Sequence, residues 1–125
     1  MIDRTWAREF ALEWIEAWNA HDLERILSHY ADDFEMRSPL IVERMGIAEG
    51  VLRGKEAVRP YWQWGLDARP PLRFVLHDVL VGVNTLAIYY HSTTRNRMVA
   101  EVLTVDAHGK VVSGAGLYGD ALPEG

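Results

Sequence analysis

The stretch Leu86-Ala87-Ile88-Tyr89-Tyr90-His91-Ser92-Thr93, followed after a polar break by Met98-Val99-Ala100-Glu101-Val102-Leu103-Thr104-Val105, decides the fold. Both runs are rich in β-branched, aromatic and aliphatic residues, and Arg95-Asn96 lies between them as a turn, so they read as neighbouring antiparallel strands. The same character extends outward in both directions. Leu72–Val83 comes before them and Lys110–Tyr118 after, set off by Asn84-Thr85 and by Asp106-Ala107-His108-Gly109. Four consecutive strands with short connections make an antiparallel sheet.

Upstream, the periodicity changes. In residues 4–18, Trp6, Phe10, Trp14 and Trp18 recur every fourth position while Arg8, Glu9, Glu13 and Glu16 fall elsewhere, which predicts a helix capped by Asp3 or Thr5. Asp22 is placed to cap a second, shorter helix whose Leu23, Ile26, Leu27 and Tyr30 form one apolar stripe. Ala31-Asp32-Asp33 turns the chain into a short strand from Phe34 to Ser38, ended by Pro39. Residues 40–53 have no firm period and read as a long flap, either a cover for the mouth of a pocket or a surface excursion or dimer contact. A third helix runs from after Gly54 to about Leu66, with Ala57, Val58, Tyr61 and Trp62 on its apolar face and a kink expected at Pro60. Helices first and strands afterwards specify an α+β fold, not alternating α/β.

The bulk composition narrows the function. A chain of 125 residues suits one domain over 1–125. No cysteine is present, which removes disulfides, thiolate catalysis and cysteine-ligated metals and suits a cytoplasmic location. No basic segment followed by an apolar run opens the sequence, and no stretch approaches a membrane span, so no membrane association is expected. The net charge of −5, with scattered Lys and Arg, argues against a nucleic-acid partner. None of His21, His29, His77, His91 and His108 has metal-ligand spacing, so neither metal nor cofactor is expected. Gly114-Ala115-Gly116-Leu117-Tyr118-Gly119 spells the dinucleotide fingerprint, but too little chain follows it to supply the helix and parallel strand that the motif needs.

Four segments carry a family resemblance: Trp14-Ile15-Glu16-Ala17-Trp18-Asn19-Ala20-His21-Asp22-Leu23, Tyr30-Ala31-Asp32-Asp33-Phe34, Leu52-Arg53-Gly54-Lys55-Glu56-Ala57 and Val105-Asp106-Ala107-His108-Gly109-Lys110-Val111. In this order the chain resembles the nuclear transport factor 2-like superfamily, and within it the SnoaL-like polyketide cyclases and steroid Δ-isomerases. The resemblance implies a cone-shaped, strongly curved antiparallel sheet wrapped by three N-terminal helices (a cystatin-like α+β roll), enclosing a pocket and often forming a homodimer. Where steroid isomerases carry a tyrosine donor on the first helix, this chain has Trp14. Where they carry the aspartate base before a proline, it has Ser38 before Pro39. Only their protonated aspartate, on the penultimate strand, keeps an acidic counterpart, Glu101. Ordinary steroid isomerase chemistry is therefore not expected, and no His–Asp or Arg–Asp constellation is evident.

Glu101 is the leading candidate for chemistry, because it interrupts an otherwise apolar strand. With Arg95-Asn96 as a two-residue turn, it pairs with Tyr90 and shares a face with Ile88, Ser92, Val99 and Leu103. A carboxyl group there has its acidity weakened by desolvation and becomes a proton donor near neutral pH. A solvated or arginine-paired Glu101 is the structural alternative. Tyr90, and less so His91, are further catalytic candidates; the turn register points His91 away from Glu101. Arg95 and Arg97, like Asp32 and Asp33, read as solvated turn residues.

The ligand-binding candidates are Trp14, Trp18, Met36, Ser38, Tyr61, Trp62, Ile88, Val99, Leu103 and Tyr118, with Gly114 and Gly116 leaving space on the last strand. For any one aromatic residue, simple core packing competes with this role. Together these features predict a pocket for a small apolar or polyketide-like molecule, with acid–base isomerisation, cyclisation or dehydration as the leading activity. A non-catalytic ligand-binding or dimerisation module is the alternative. Dimerisation would cover Tyr89, Met98 and Val102 on the outer face of the sheet.

Overall fold

The computed structural model describes residues 1–124. In chain order its elements are α1 (Arg4–Asn19), α2 (Leu23–Leu27), β1 (Tyr30–Arg37), α3 (Pro39–Met45), β2 (Val51–Arg53), α4 (Lys55–Asp67), β3 (Phe74–Val81), β4 (Thr85–Ser92), β5 (Arg97–Val105) and β6 (Val111–Tyr118). One six-stranded sheet, curved and unclosed, takes the order β2-β1-β6-β5-β4-β3. The α+β expectation holds. Neighbouring strands are antiparallel except β1 and β6, which run parallel and bring the first strand beside the last.

The helices form where local chemistry closes their ends. Asp3 caps α1 by accepting from the Trp6 amide at 2.8 Å, and Asp22 caps α2 through the Arg25 amide at 3.1 Å. α1 then buries Ala7, Phe10, Ala11, Trp14, Ile15, Ala17 and Trp18, a stripe that packs chiefly against β3. α4 retains helical form through Pro60 and buries Val58, Tyr61, Trp62 and Leu66 against β1 and β2.

Three local expectations are corrected. Residues 40–53 are not one long flap: α3 occupies their first half and β2 their last three positions. Ser38 accepts from the Leu40 amide, Pro39 takes the first turn where its missing N–H costs nothing, and Gly46 ends the helix at φ 68°. The first strand begins earlier than Phe34. Tyr30 already pairs with Val111, and Asp32 and Asp33 bulge out before pairing resumes at Glu35. The β4–β5 connection is four residues long, with Ser92 and Arg97 as the last pair. Thr93 and Thr94 leave the hairpin to bond the segment before β3, through Thr93 N to Arg73 O at 2.9 Å and Thr94 Oγ1 to Pro71 O at 2.8 Å.

This longer connection moves the register by two residues, so Glu101 pairs with Ile88, and Tyr90 with Val99. A shift of two preserves the faces, because strand side chains alternate with period two. Glu101, Val99, Leu103, Ile88, Tyr90 and Ser92 all remain on the concave side, where each is buried.

The core beneath the helices is aromatic. Tyr30 meets Phe34 at 4.5 Å and Trp62 at 4.9 Å between ring centroids, and Trp14 donates its Nε1–H to the Tyr30 hydroxyl at 2.9 Å. Leu103 is fully buried, and its Cδ2 occupies the space that a side chain on Gly114 would need. Leu103→Ala is expected to remove about 2–5 kcal/mol of stability. Urea unfolding should show a lower midpoint at unchanged slope.

Candidate functional site

A cavity of about 100 Å³ opens between the concave face of the sheet and the helices. Trp14 and Trp18 enter it from α1, Tyr61 and Trp62 from α4, Met36 from β1, Tyr90 from β4, Val99 and Glu101 from β5, and Tyr118 from β6. All of these were legible as candidates from sequence. Phe74, whose ring lies 4.4 Å from that of Tyr90, and Leu72 were not. The floor is formed by buried residues and the rim by exposed Pro70, Thr94 and Arg95.

The remaining candidates stand outside the cavity wall. Ile88, Leu103 and Gly114 lie in the core behind it. Gly116 contributes by omission: a methyl group there would come within 3.2 Å of the Tyr118 hydroxyl and 3.5 Å of Glu101 Oε1, so its bare backbone makes room for both polar tips. Ser38 is occupied structurally, accepting from the Leu40 amide at 3.1 Å and from the Tyr61 hydroxyl at 3.3 Å. His91 alternates to the outer face of β4, where its Nε2 lies 2.9 Å from Asn96 Oδ1 and its ring faces His77. From there it reaches neither the cavity nor Glu101.

Among the described residues, Glu101 is the only carboxylate lining the cavity, at 6% exposure. No arginine or lysine bonds it; its one hydrogen bond comes from the Tyr90 hydroxyl to Oε1 at 3.3 Å. Burial pushes its pKa from 4.5 up to about 8, against the smaller opposing effect of the Tyr90 donor. The surrounding phenols are also pushed up, first by burial; for Tyr30, Tyr90 and Tyr118 the Glu101 charge is the next cause. Burial likewise leads for Tyr61, partly offset by its bond to Ser38. These hydroxyls are therefore donors at neutral pH, and Glu101 is the one group of the cavity poised to exchange a proton there.

Three arginines also line the cavity: Arg44 from α3, which sequence reasoning did not single out, Arg95, exposed in the β4–β5 connection as expected of a turn residue, and Arg97 from β5. Arg97 is not a solvated turn residue. It begins β5 on the concave side, with its guanidinium 5.1 Å from the centre of the Tyr118 ring. Its signal was parity, since Arg97, Val99, Glu101 and Leu103 are alternate residues. Arg44 belonged to the segment read as a flap; its guanidinium lies 4.8 Å from the Trp64 ring centre. Among the described residues, no group of three His, Asp or Glu side chains is arranged to hold a metal ion.

The raised Glu101 pKa has a direct consequence for stability. The native state retains this proton while the unfolded chain releases it near 4.5, so stability falls as pH rises from about 4.5 to about 8. The loss is up to about 1.4 kcal/mol per pH unit. Glu101→Gln should flatten that part of the stability profile. NMR titration of the glutamate side-chain carbons should find one group titrating near 8; a Glu101 midpoint near 4.5 would remove the donor role.

The positions that distinguish steroid isomerases are put to structural use here. Trp14 spends its N–H on Tyr30, and Ser38 caps α3. Comparison with known proteins agrees with the architecture. No curated protein matches the chain. A SnoaL-like protein of unknown function from Burkholderia thailandensis E264 is 44% identical, with 95% of this chain and 98% of that one covered at a TM-score of 0.91. An NTF2-like protein of unknown function from Cytophaga hutchinsonii ATCC 33406 shares the fold at 15% identity and TM-score 0.69, covering 90% and 89%. A protein with a cystatin-like fold from Methylobium petroleophilum PM1 does so at 15% identity and TM-score 0.72, covering 99% and 82%. The SnoaL-like domain model matches residues 11–116, and the chain belongs to the SnoaL-like family.

Proposed function

We propose that this protein binds a small, largely apolar molecule and converts it by cofactor-independent acid–base chemistry, an isomerisation, cyclisation or dehydration, with Glu101 as the proton donor. The observation that carries this reading is the lone carboxyl group on the floor of an aromatic cavity, without a cation to hold it ionised. Such an acid keeps its proton at neutral pH, donates a hydrogen bond to a ligand carbonyl, and passes the proton on as enolate charge develops on that oxygen.

The chemistry requires only one shuttle group. With Tyr90 donating to Oε1, the carboxyl proton resides on Oε2 and is free to be passed to a ligand oxygen. The carboxylate left behind retains the Tyr90 hydrogen bond, which offsets part of its desolvation. It then takes a proton from a neighbouring carbon, so an O–H bond forms as a C–H bond breaks, and Glu101 regains its starting state. Trp14, Trp18 and Trp62 supply flat apolar surface for the ligand body.

A small panel of enones and aromatic ketones incubated in D₂O, read by mass spectrometry, tests this function. Glu101→Gln is expected to slow deuterium incorporation by about 10²–10⁴-fold. The donor step in the wild type should weaken above pH 8, as Glu101 ionises. No exchange above buffer in the wild type, or equal exchange in the variant, would leave the second reading: a non-catalytic ligand-binding module. That reading is favoured by the absence of a second carboxylate or any imidazole among the residues lining the cavity.

The same proposal includes a homodimer formed through the outer face of the sheet. Tyr89 and Leu117 are 38% and 51% exposed there, and Met98 and Val102 are half-buried beside them. Light scattering at micromolar concentration should return twice the chain mass, and Tyr89→Glu should return it to one. A cytoplasmic location fits the absence of cysteine. No helix of the described residues is long and apolar enough to cross a membrane.

A further inference from the structure

We infer that the ligand is an aromatic or similarly flat monocarboxylate, held by its acidic end on Arg97 and Arg44, with its reacting end toward Glu101. The inference rests on the acid–base reading of the same cavity and specifies the substrate class. Four arginines elsewhere in the molecule, Arg25, Arg37, Arg53 and Arg59, each lie against a glutamate. Among the described residues, seven arginines have no carboxylate partner; Arg4, Arg8, Arg69 and Arg73 lie away from the cavity, and the other three, Arg44, Arg95 and Arg97, all line it.

Two further donors are unsatisfied at the same place. Trp18 Nε1 and Arg97 Nε are the only buried side-chain nitrogen or oxygen atoms among the described residues that lack a hydrogen-bond partner, and both residues belong to the cavity wall. A buried donor without an acceptor costs free energy, and a carboxylate taken side-on by a guanidinium supplies two acceptors at once. Protein carboxylates supply none: the single carboxyl group of the cavity is bonded by the neutral Tyr90 hydroxyl, and no charged side chain influences its titration.

The spacing selects a class of molecule. Arg97 and Glu101 project from the same face of β5, four residues apart, so their Cα atoms are separated by about 13 Å. Tyr118 provides flat surface between them, with the Arg97 guanidinium over its ring and the Glu101 charge acting on its hydroxyl. One aromatic ring with a short acidic side arm spans this interval once both side chains reach inward. The positive rim also favours entry of an anion over a neutral analogue of the same shape.

Quenching of tryptophan fluorescence reports binding directly, since Trp14, Trp18 and Trp62 line the cavity. The probes are benzoate, phenylacetate and cinnamate, each beside its amide at the same pH. At least one acid is expected to bind about tenfold or more tightly than its amide. That preference should shrink at high salt and disappear in Arg97→Met combined with Arg44→Met, with acid and amide then binding alike. Amides binding as well as acids, or a preference that survives in the double variant, would overturn the carboxylate assignment and leave the ligand-binding reading in place. Absence of binding by all six probes would overturn the assignment and count against that reading too. Arg97→Lys should retain part of the preference, which separates loss of charge from loss of packing on Tyr118.

Discussion

The isolation of the Glu101 carboxyl group from both water and cations governs the rest of the site. Ionising it inside the cavity would leave a charge stabilised by one tyrosine hydroxyl, so the neutral acid is preferred over most of the physiological pH range. Every neighbouring feature is compatible with that state. Gly116 withholds a side chain where the carboxyl group needs room, and Tyr90 contributes a donor without a charge. The arginines stand far enough away not to draw out the proton. Had one of them bonded Glu101, the group would have become a fixed structural anion with no proton to give.

This separation gives the cavity a chemical direction. Its deep end is a proton source among tyrosine hydroxyls, its middle is aromatic surface, and its rim is cationic. A ligand with an acidic tail and an apolar body is oriented by that gradient before any reaction begins. Fixed orientation of this kind is a substantial part of catalytic power, because it removes rotational freedom from the reacting pair in advance.

Much of the architecture could be read from residue order and periodicity. Helices with apolar stripes, followed by four strands with short breaks, left few arrangements open, and the residues at the caps were visible as Asp3 and Asp22. The face occupied by Glu101 was also legible, because it depends only on parity and survived a two-residue error in register. The error arose from Thr93 and Thr94, whose partners Arg73 and Pro71 lie some twenty residues away and leave no local signature. Ser38, Pro39 and Gly46 did carry a local signature, a helix start and stop, but the weak apolar period between them hid it. Arg97 was misplaced because a charged residue beside a turn resembles a solvated one, although its parity matched Glu101. The parallel partnership of β1 with β6 had no sequence signal: periodicity identifies a strand, not its distant neighbour.

That partnership has a consequence for how the molecule comes into being. Tyr30 is joined to Val111, and Met36 to Gly114, across some eighty residues of intervening chain. Contacts so remote in sequence carry a large loop-closure cost and tend to slow folding. During synthesis, the N-terminal helices emerge well before the strand that gives β1 its inner neighbour. Until β6 leaves the ribosome, Phe34 and its aromatic companions lack one side of their enclosure, so the aromatic hollow is among the last features of the molecule to exist.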